Sequence, residues 1–250
     1  MPSGDYDAAH NRHITQQHTK DNEMTMNQHS NHSGSLTIRT PELTIRRVVG
    51  GVLPVAVTAG ALWAAAAIGR IAIPGTPVPI TLQTLVLMIA AVTLDWRRVA
   101  GAVALYLTMG LCGLPVFSGG MSTAALIGPT CGFLYAFLPA GVVTSLLGAH
   151  GSRFAMRLAD ASGSRAAGST GGTGANAWFA PALVFAAYLC ACVLGCVLLQ
   201  DGIGVLVQAA TTHVPLKPLA MASAAFIPGD LVKAALAASL ATPIALAKLR

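Results

Sequence analysis

Apolar residues run almost without interruption from Val48 to about Ile68. As a helix rising ~1.5 Å per residue, such a run crosses the ~30 Å hydrocarbon core of a bilayer. Five further apolar runs follow: Thr81 to about Leu94, Val99 to about Cys112, Gly128 to about Gly148, Trp178 to about Leu199, and Pro228 to Leu246. The intervals between them carry breakers or charge. Pro74, Pro77 and Pro79 remove three backbone donors from a still-apolar stretch and forbid a helix there. Asp95-Trp96-Arg97-Arg98 reads as a tight charged turn, and Gly113 to Gly120 as a long uncharged loop. Residues 149–177 hold Arg153, Arg157, Arg165 and a Gly/Ser/Thr stretch, and are expected as a flexible cytoplasmic loop. Asp201 and Lys217 bound the interval before the last run. The pattern predicts an all-α integral membrane protein with six transmembrane helices over residues 46–250.

Residues 1–45 are polar, lack a periodic apolar face and carry His10, His13, His18, His29 and His32. They are expected as a disordered cytoplasmic tail. Their irregular spacing, with no cysteine nearby, argues against a metal site, and no apolar core marks them as a secretory signal.

Composition supports the membrane reading. Only 10% of residues are charged while 54% are apolar, against about a quarter charged in soluble domains. The net charge of +6 then reflects cytoplasmic loops rather than nucleic acid, since no basic run is interleaved with aromatics. The cysteines Cys112, Cys131, Cys190, Cys192 and Cys196 form no Cys-x-x-Cys pair and read as small apolar residues. No phosphate-binding Gly-x-x-x-x-Gly-Lys, no His-Glu-x-x-His and no Gly-x-Ser-x-Gly occurs. No catalytic residue, bound cofactor or metal is expected.

Six spans place both termini on one side. With that side cytoplasmic, its segments hold Arg46, Arg47, Arg97, Arg98, Arg153, Arg157, Arg165, Lys248 and Arg250, against Arg70 and Lys217 outside. Spans two, four and six then start at the outer face, near Pro79, Pro129 and Pro228, where proline suits a first helical position. Their first turns carry Thr81, Gln83 and Thr84; Thr130; and Asp230 with Lys233. Three helix N-termini at one vestibule favour an anion. Asp230 and Lys233 share one helix face at i, i+3. Two readings stay open: a salt bridge that lowers the cost of insertion, or a site where Asp230 accepts ligand N–H groups and Lys233 holds an acid. On the first span, Ala61-x-x-x-Ala65 fits either close packing within the monomer or a face for a partner helix.

Four ordered motifs resemble a known family. They are Ile71-Ala72-Ile73-Pro74 with Pro77-Val78-Pro79-Ile80-Thr81-Leu82-Gln83-Thr84; Gly113-Leu114-Pro115-Val116-Phe117-Ser118-Gly119-Gly120; Leu126-Ile127-Gly128-Pro129-Thr130 with Gly132-Phe133; and Ile227-Pro228-Gly229-Asp230-Leu231-Val232-Lys233. The chain from Val48 to Leu246 resembles the BioY family, the biotin-specific substrate-capture (S) components of energy-coupling-factor (ECF) vitamin transporters. The resemblance implies a six-helix S-component fold in the cell membrane, with both termini cytoplasmic and biotin captured from outside. It implies a transmembrane coupling (T) subunit and a pair of ATP-binding cassette subunits as partners, which consume the ATP. It also implies a lid at Pro74, Pro77 and Pro79, and small residues of the first helix, such as Ala61 and Ala65, as the coupling-subunit contact.

Biotin offers two ureido N–H donors, a carbonyl and a carboxylate. The residues expected to receive them are Thr81, Gln83, Thr84, Phe117, Gly119, Gly120, Thr130, Tyr135, Asp230 and Lys233. Phe117 or Tyr135 would cover the ring and tail. Alternatives within transport are an S component for another small vitamin, a solitary biotin transporter without the ATPase module, and a homo-oligomer. An intramembrane enzyme using Asp230 and Lys233 for proton transfer is the alternative of a different class.

Overall fold

The computed structural model describes residues 41–71, 78–166 and 176–248. The tail over residues 1–40, Pro74 and Pro77 of the expected lid, and residues 167–175 of the expected loop lie outside them. The chain divides into two units, Met1–Arg47 and Val48–Arg250. The second holds the bundle and the cavity described below.

Regular structure among the described residues is helical, with two isolated bridges, Ile71–Ile80 and Phe117–Met121. The helices are α1 (Pro41–Ala67), α2 (Gln83–Thr93), α3 (Trp96–Leu111), α4 (Thr123–Ile127), α5 (Cys131–Ala166) and α6 (Asn176–Cys192). A π-helical segment, Val193–Leu199, joins α6 to α7 (Gln200–Thr212). Then come α8 (Leu216–Ser223), a 3₁₀ turn (Ala224–Phe226) and α9 (Ile227–Ala247). Among the described residues, four helical stretches are long and apolar enough to cross a membrane: Gly50–Ala67, Cys131–Ser162, Trp178–Thr212 and Leu216–Ala247. The second and third predicted spans are also helices, α2 and α3. At 1.5 Å per residue they reach only ~16 and ~24 Å, less than the hydrocarbon thickness.

Helix α5 is the hub of the bundle, packing on α2, α3, α4, α6, the π segment and α7. The core between these elements is built from Leu87, Val99, Val103, Tyr106, Phe137, Val184, Cys196, Ala234 and Ala238, all buried. Close approach depends on residues without side chains, as is usual where lipid supplies no hydrophobic drive between helices. A Cβ on Gly195 would strike Thr144, one on Gly204 the Phe133 ring, and one on Gly141 Val99 and Leu87. At the α2–α3 turn, Asp95 caps α3 by accepting from Arg98 N at 3.4 Å.

Several boundaries differ from those expected, among them the start of α5, which opens at Cys131 and not at Pro129. Helix α1 begins at Pro41, so residues 41–45 are helical. Helix α2 begins at Gln83, with Leu82 as its cap. Pro79 therefore does not start it: the preceding segment is extended, and Ile71 and Ile80 exchange N–H···O bonds of 3.0 and 2.9 Å across the loop mouth. Residues 149–166, expected as part of a flexible loop, continue α5. No proline interrupts them, and their Ala, Leu, Met and Arg content favours helix over a charged turn. Finally, the helix expected to end at Leu199 continues to Thr212. Asp201 read as the end of a span, but its helix carries it onward along the bundle.

Candidate functional site

The first two turns of α9 present Asp230 and Lys233 on one face, with Pro228 near the start of the helix. Both side chains are buried, and their ion pair is 2.8 Å long. Taking two charges out of water is costly unless every hydrogen-bonding group is met. Helix α2 meets them. Lys233 Nζ donates to Thr81 O (2.8 Å), Thr84 Oγ1 (2.9 Å) and Asp230 Oδ1 (2.8 Å). An ammonium has three protons, so its donors are fully used. Thr84 Oγ1 donates in turn to Asp230 Oδ1 at 3.2 Å. Both bonds to the carboxylate fall on Oδ1; Oδ2 accepts none among the described residues.

A second network stiffens the neighbouring wall. Thr81 Oγ1 donates to Gln83 Oε1 (3.2 Å), Gln83 Nε2 donates to Tyr106 Oη (2.6 Å), and Tyr106 Oη donates to Val116 O (3.0 Å). Tyr106 is fully buried and meets Phe117 edge-to-face, with ring centroids 5.2 Å apart. This ties α2, α3 and the loop over residues 116–121 into one unit. The loop turns through Gly119 and Gly120, whose φ angles of +77° and +73° suit glycine. A side chain at Gly119 would also meet the Arg70 guanidinium.

These walls border a half-open cavity. Its polar lining is Thr81, Gln83, Thr84, Ser118, Thr130, Gln200, Asp201, Asp230 and Lys233, and its aromatic lining is Phe117, Phe133, Phe137 and Phe226. The starts of α2, α5 and α9 thus converge on one space, as the sequence predicted.

Of the expected ligand residues, Thr81, Gln83, Thr84, Phe117, Thr130, Asp230 and Lys233 line this cavity, and so does Pro79. Gly119 and Gly120 shape the adjoining turn and do not line it. Tyr135 is displaced from the role expected of it. Its side chain is 49% exposed and its hydroxyl donates to Leu126 O at 2.8 Å, outside the cavity. Two residues beyond Phe133, it falls on the opposite side of α5. On α1, Ala65 is buried against the bundle and Ala61 is partly so. A second small-residue register holds Ala56 and Ala64, both exposed, and Gly60, partly buried but with open space at its Cβ position, flanked by exposed Val52, Leu53, Val57 and Trp63.

The residues that sequence reasoning missed are Tyr106, Phe133, Phe137, Gln200, Asp201 and Phe226. Asp201 carried a readable signal, a lone carboxylate with no breaker between it and Thr212 other than glycines. Tyr106 carried a weaker one, as the single aromatic hydroxyl on α3.

Comparison with known proteins accords with this geometry. A sequence model of the BioY family matches residues 38–249. The biotin transporter BioY of Rhizobium etli is 33% identical over 165 residues, covering 66% of this chain and 76% of that protein. Biotin transporter BioY2 of Lactococcus lactis is 48% identical over 81 residues, or 32% of this chain. The biotin transporter BioY of Thermotoga maritima is 38% identical over 105 residues, or 41% of this chain. These alignments span 44% of the Lactococcus protein and 62% of the Thermotoga protein. A crystal structure of the S-component for biotin from an ECF-type ABC transporter shares the fold, with a TM-score of 0.63 and 22% identity over 80% of this chain and 92% of that one. With the family model matched along nearly the whole helical bundle, the chain belongs to the BioY family.

Proposed function

We propose that this chain captures biotin and carries it into the cell as the S component of an ECF-type ABC transporter, a binding and transport role without catalysis. The observation that carries the reading is the cavity in which Asp230, Lys233, Thr84, Thr81 and Thr130 meet an aromatic wall headed by Phe117. Its polar and apolar halves match a ligand with a polar bicyclic head and an aliphatic acid tail. Relatives named as biotin transporters, and a shared fold with a biotin S-component, support that ligand over other small vitamins.

In this reading the chain crosses the plasma membrane six times, with both termini cytoplasmic and the cavity opening outward. Helices α2 and α3 complete the six by tilting little and letting flanking residues reach the interfaces. Of the expected lid, Pro79 is the described residue, and it lines the cavity. The Ile71–Ile80 bridge fixes the backbone beside it, where Val78 and Ile80 also line the cavity. The Asp230–Lys233 pair grips itself and α2, so its role toward ligand is that of a preformed wall with Asp230 Oδ2 as its free acceptor. The start of α2, which no side chain caps, supplies N–H groups for the acid end. A T subunit and two ATP-binding cassette subunits supply the coupling and hydrolyse ATP. The T subunit docks on the Ala56–Gly60–Ala64 face rather than on Ala61 and Ala65.

Radiolabelled biotin binding to the purified full chain, with riboflavin and thiamine as competitors, tests the reading. Saturable binding that neither vitamin displaces is expected. Displacement by either, or no binding, overturns it.

A further inference from the structure

The hydrogen-bond inventory of the cavity is lopsided. On the α2–α9 side, Thr81, Gln83, Thr84, Tyr106 and Lys233 satisfy one another, and Lys233 has no proton left. On the α7 side the situation reverses. Gln200 is 3% exposed, yet its Oε1 has no hydrogen-bond partner among the described residues, and neither does Oδ2 of the adjacent Asp201. Both residues line the cavity. A buried polar atom without a partner is costly, and its persistence calls for a group that arrives later.

The backbone explains how these two residues come to face inward. They open α7 directly after the π segment Val193–Leu199. An inserted π residue shifts everything after it by about 100° around the helix axis, and such segments recur at functional sites. Gly195 lets the widened turn seat against Thr144 and the Ala140 carbonyl of α5. Beyond it, Gly204 lies against Phe133, keeping α7 close enough for Gln200 and Asp201 to reach the same space as Asp230.

We propose that Gln200 Oε1 and Asp201 Oδ2 form a second acceptor site in this cavity, which receives ligand N–H groups opposite the Asp230 wall. The chemical class it selects is a cyclic urea or guanidine carrying N–H on both sides of the ring. This assignment rests on the proposed capture of biotin and adds the residues that read its ureido head. A carboxylate accepts only, so this site favours ligands richer in N–H, and a cationic head over a neutral one.

The test compares biotin with 2-iminobiotin, whose ureido oxygen is replaced by nitrogen to give a cationic guanidinium head. Both are titrated into the purified full chain, into Asp201→Asn and into Gln200→Leu, with thermal unfolding followed in parallel. Asp201→Asn keeps the shape and an acceptor oxygen but removes the charge. Its expected effect is a loss of 2-iminobiotin affinity of about 10- to 100-fold relative to any change for biotin. Gln200→Leu is expected to weaken both compounds by about fivefold or more, the loss of one neutral hydrogen bond. A merely structural role for Asp201 would lower both affinities in proportion and leave their ratio unchanged. A ratio within twofold of wild type in Asp201→Asn overturns the assignment while the capture of biotin stands. A wild-type chain that binds neither compound overturns the capture of biotin, and this assignment with it.

Discussion

Gln83 and Tyr106 sit on different helices, 23 positions apart, and share a buried hydrogen bond of 2.6 Å. Tyr106 Oη in turn donates to Val116 O, so one hydroxyl holds the start of α2 to the loop that carries Phe117. Replacing it by Phe keeps the ring contact and removes both bonds. Tyr106→Phe is expected to destabilise the protein by about 1–3 kcal/mol, because Gln83 Nε2 and Val116 O lose buried partners. Biotin affinity should fall more modestly, since no ligand contact is deleted. Unfolding midpoints in detergent, read beside biotin titrations, check both. A larger loss of affinity than of stability would make Tyr106 a direct ligand contact.

The Asp230–Lys233 pair makes a different prediction for single and double variants. Lys233→Met leaves a buried carboxylate without its cation, and Thr81 O and Thr84 without a donor, a loss of about 3–5 kcal/mol. Asp230→Leu with Lys233→Met removes both charges at once and should recover much of that stability. It should not recover biotin binding, because Asp230 Oδ2 goes with the pair. Binding by the stable double variant would reduce these two residues to a device for inserting α9 into the membrane.

Glycines at the α5–α7 contact link packing to the site. Gly204 leaves room for the Phe133 ring, which lines the cavity. Gly204→Val drives a side chain into that ring, and overpacking of this kind costs about 1–3 kcal/mol. Pushing Phe133 into the cavity should also weaken biotin binding. A paired Phe133→Ala substitution in the same chain makes room for the valine and should restore stability in part. No recovery in the pair would place the strain elsewhere along α7.

The fold was legible where hydrophobic length alone decided it. Each of the six predicted runs is a helix, because runs such as Val48 to Ile68 have few other ways to satisfy their backbone in an apolar medium. Half of the site was legible as well: Thr81, Gln83, Thr84, Thr130, Asp230 and Lys233 are polar groups at helix starts, where breakers mark the chain. The other half was not. Gln200 and Asp201 lie in mid-helix, and only a cavity formed by distant elements makes a carboxylate tolerable there. Asp201 therefore read as a loop. Tyr135 failed for the reverse reason, since its place beside Gly132-Phe133 says nothing about which side of α5 it faces. The continuation of α5 past Gly148 was hidden because arginines suit a cytoplasmic loop and a solvated helix equally well.

Helix α1 offers the sharpest separation between capture and coupling. Two small-residue registers run along it, and burial distinguishes them. Ala65 is 4% exposed and packs inside the chain, whereas a Cβ on Gly60 would meet nothing within 4 Å. Ala65→Leu must force a larger side chain into a closed interface and should destabilise the isolated protein by about 1–3 kcal/mol. Gly60→Leu adds volume on an open face and should leave folding and biotin binding of the isolated chain unchanged. In the proposed assembly the same leucine stands between α1 and a partner helix that needs close approach at Ala56, Gly60 and Ala64. Co-purification with a coupling subunit should therefore be lost in Gly60→Leu and should persist in any Ala65 variant that still folds. The opposite pattern would return the docking face to the Ala61–Ala65 register.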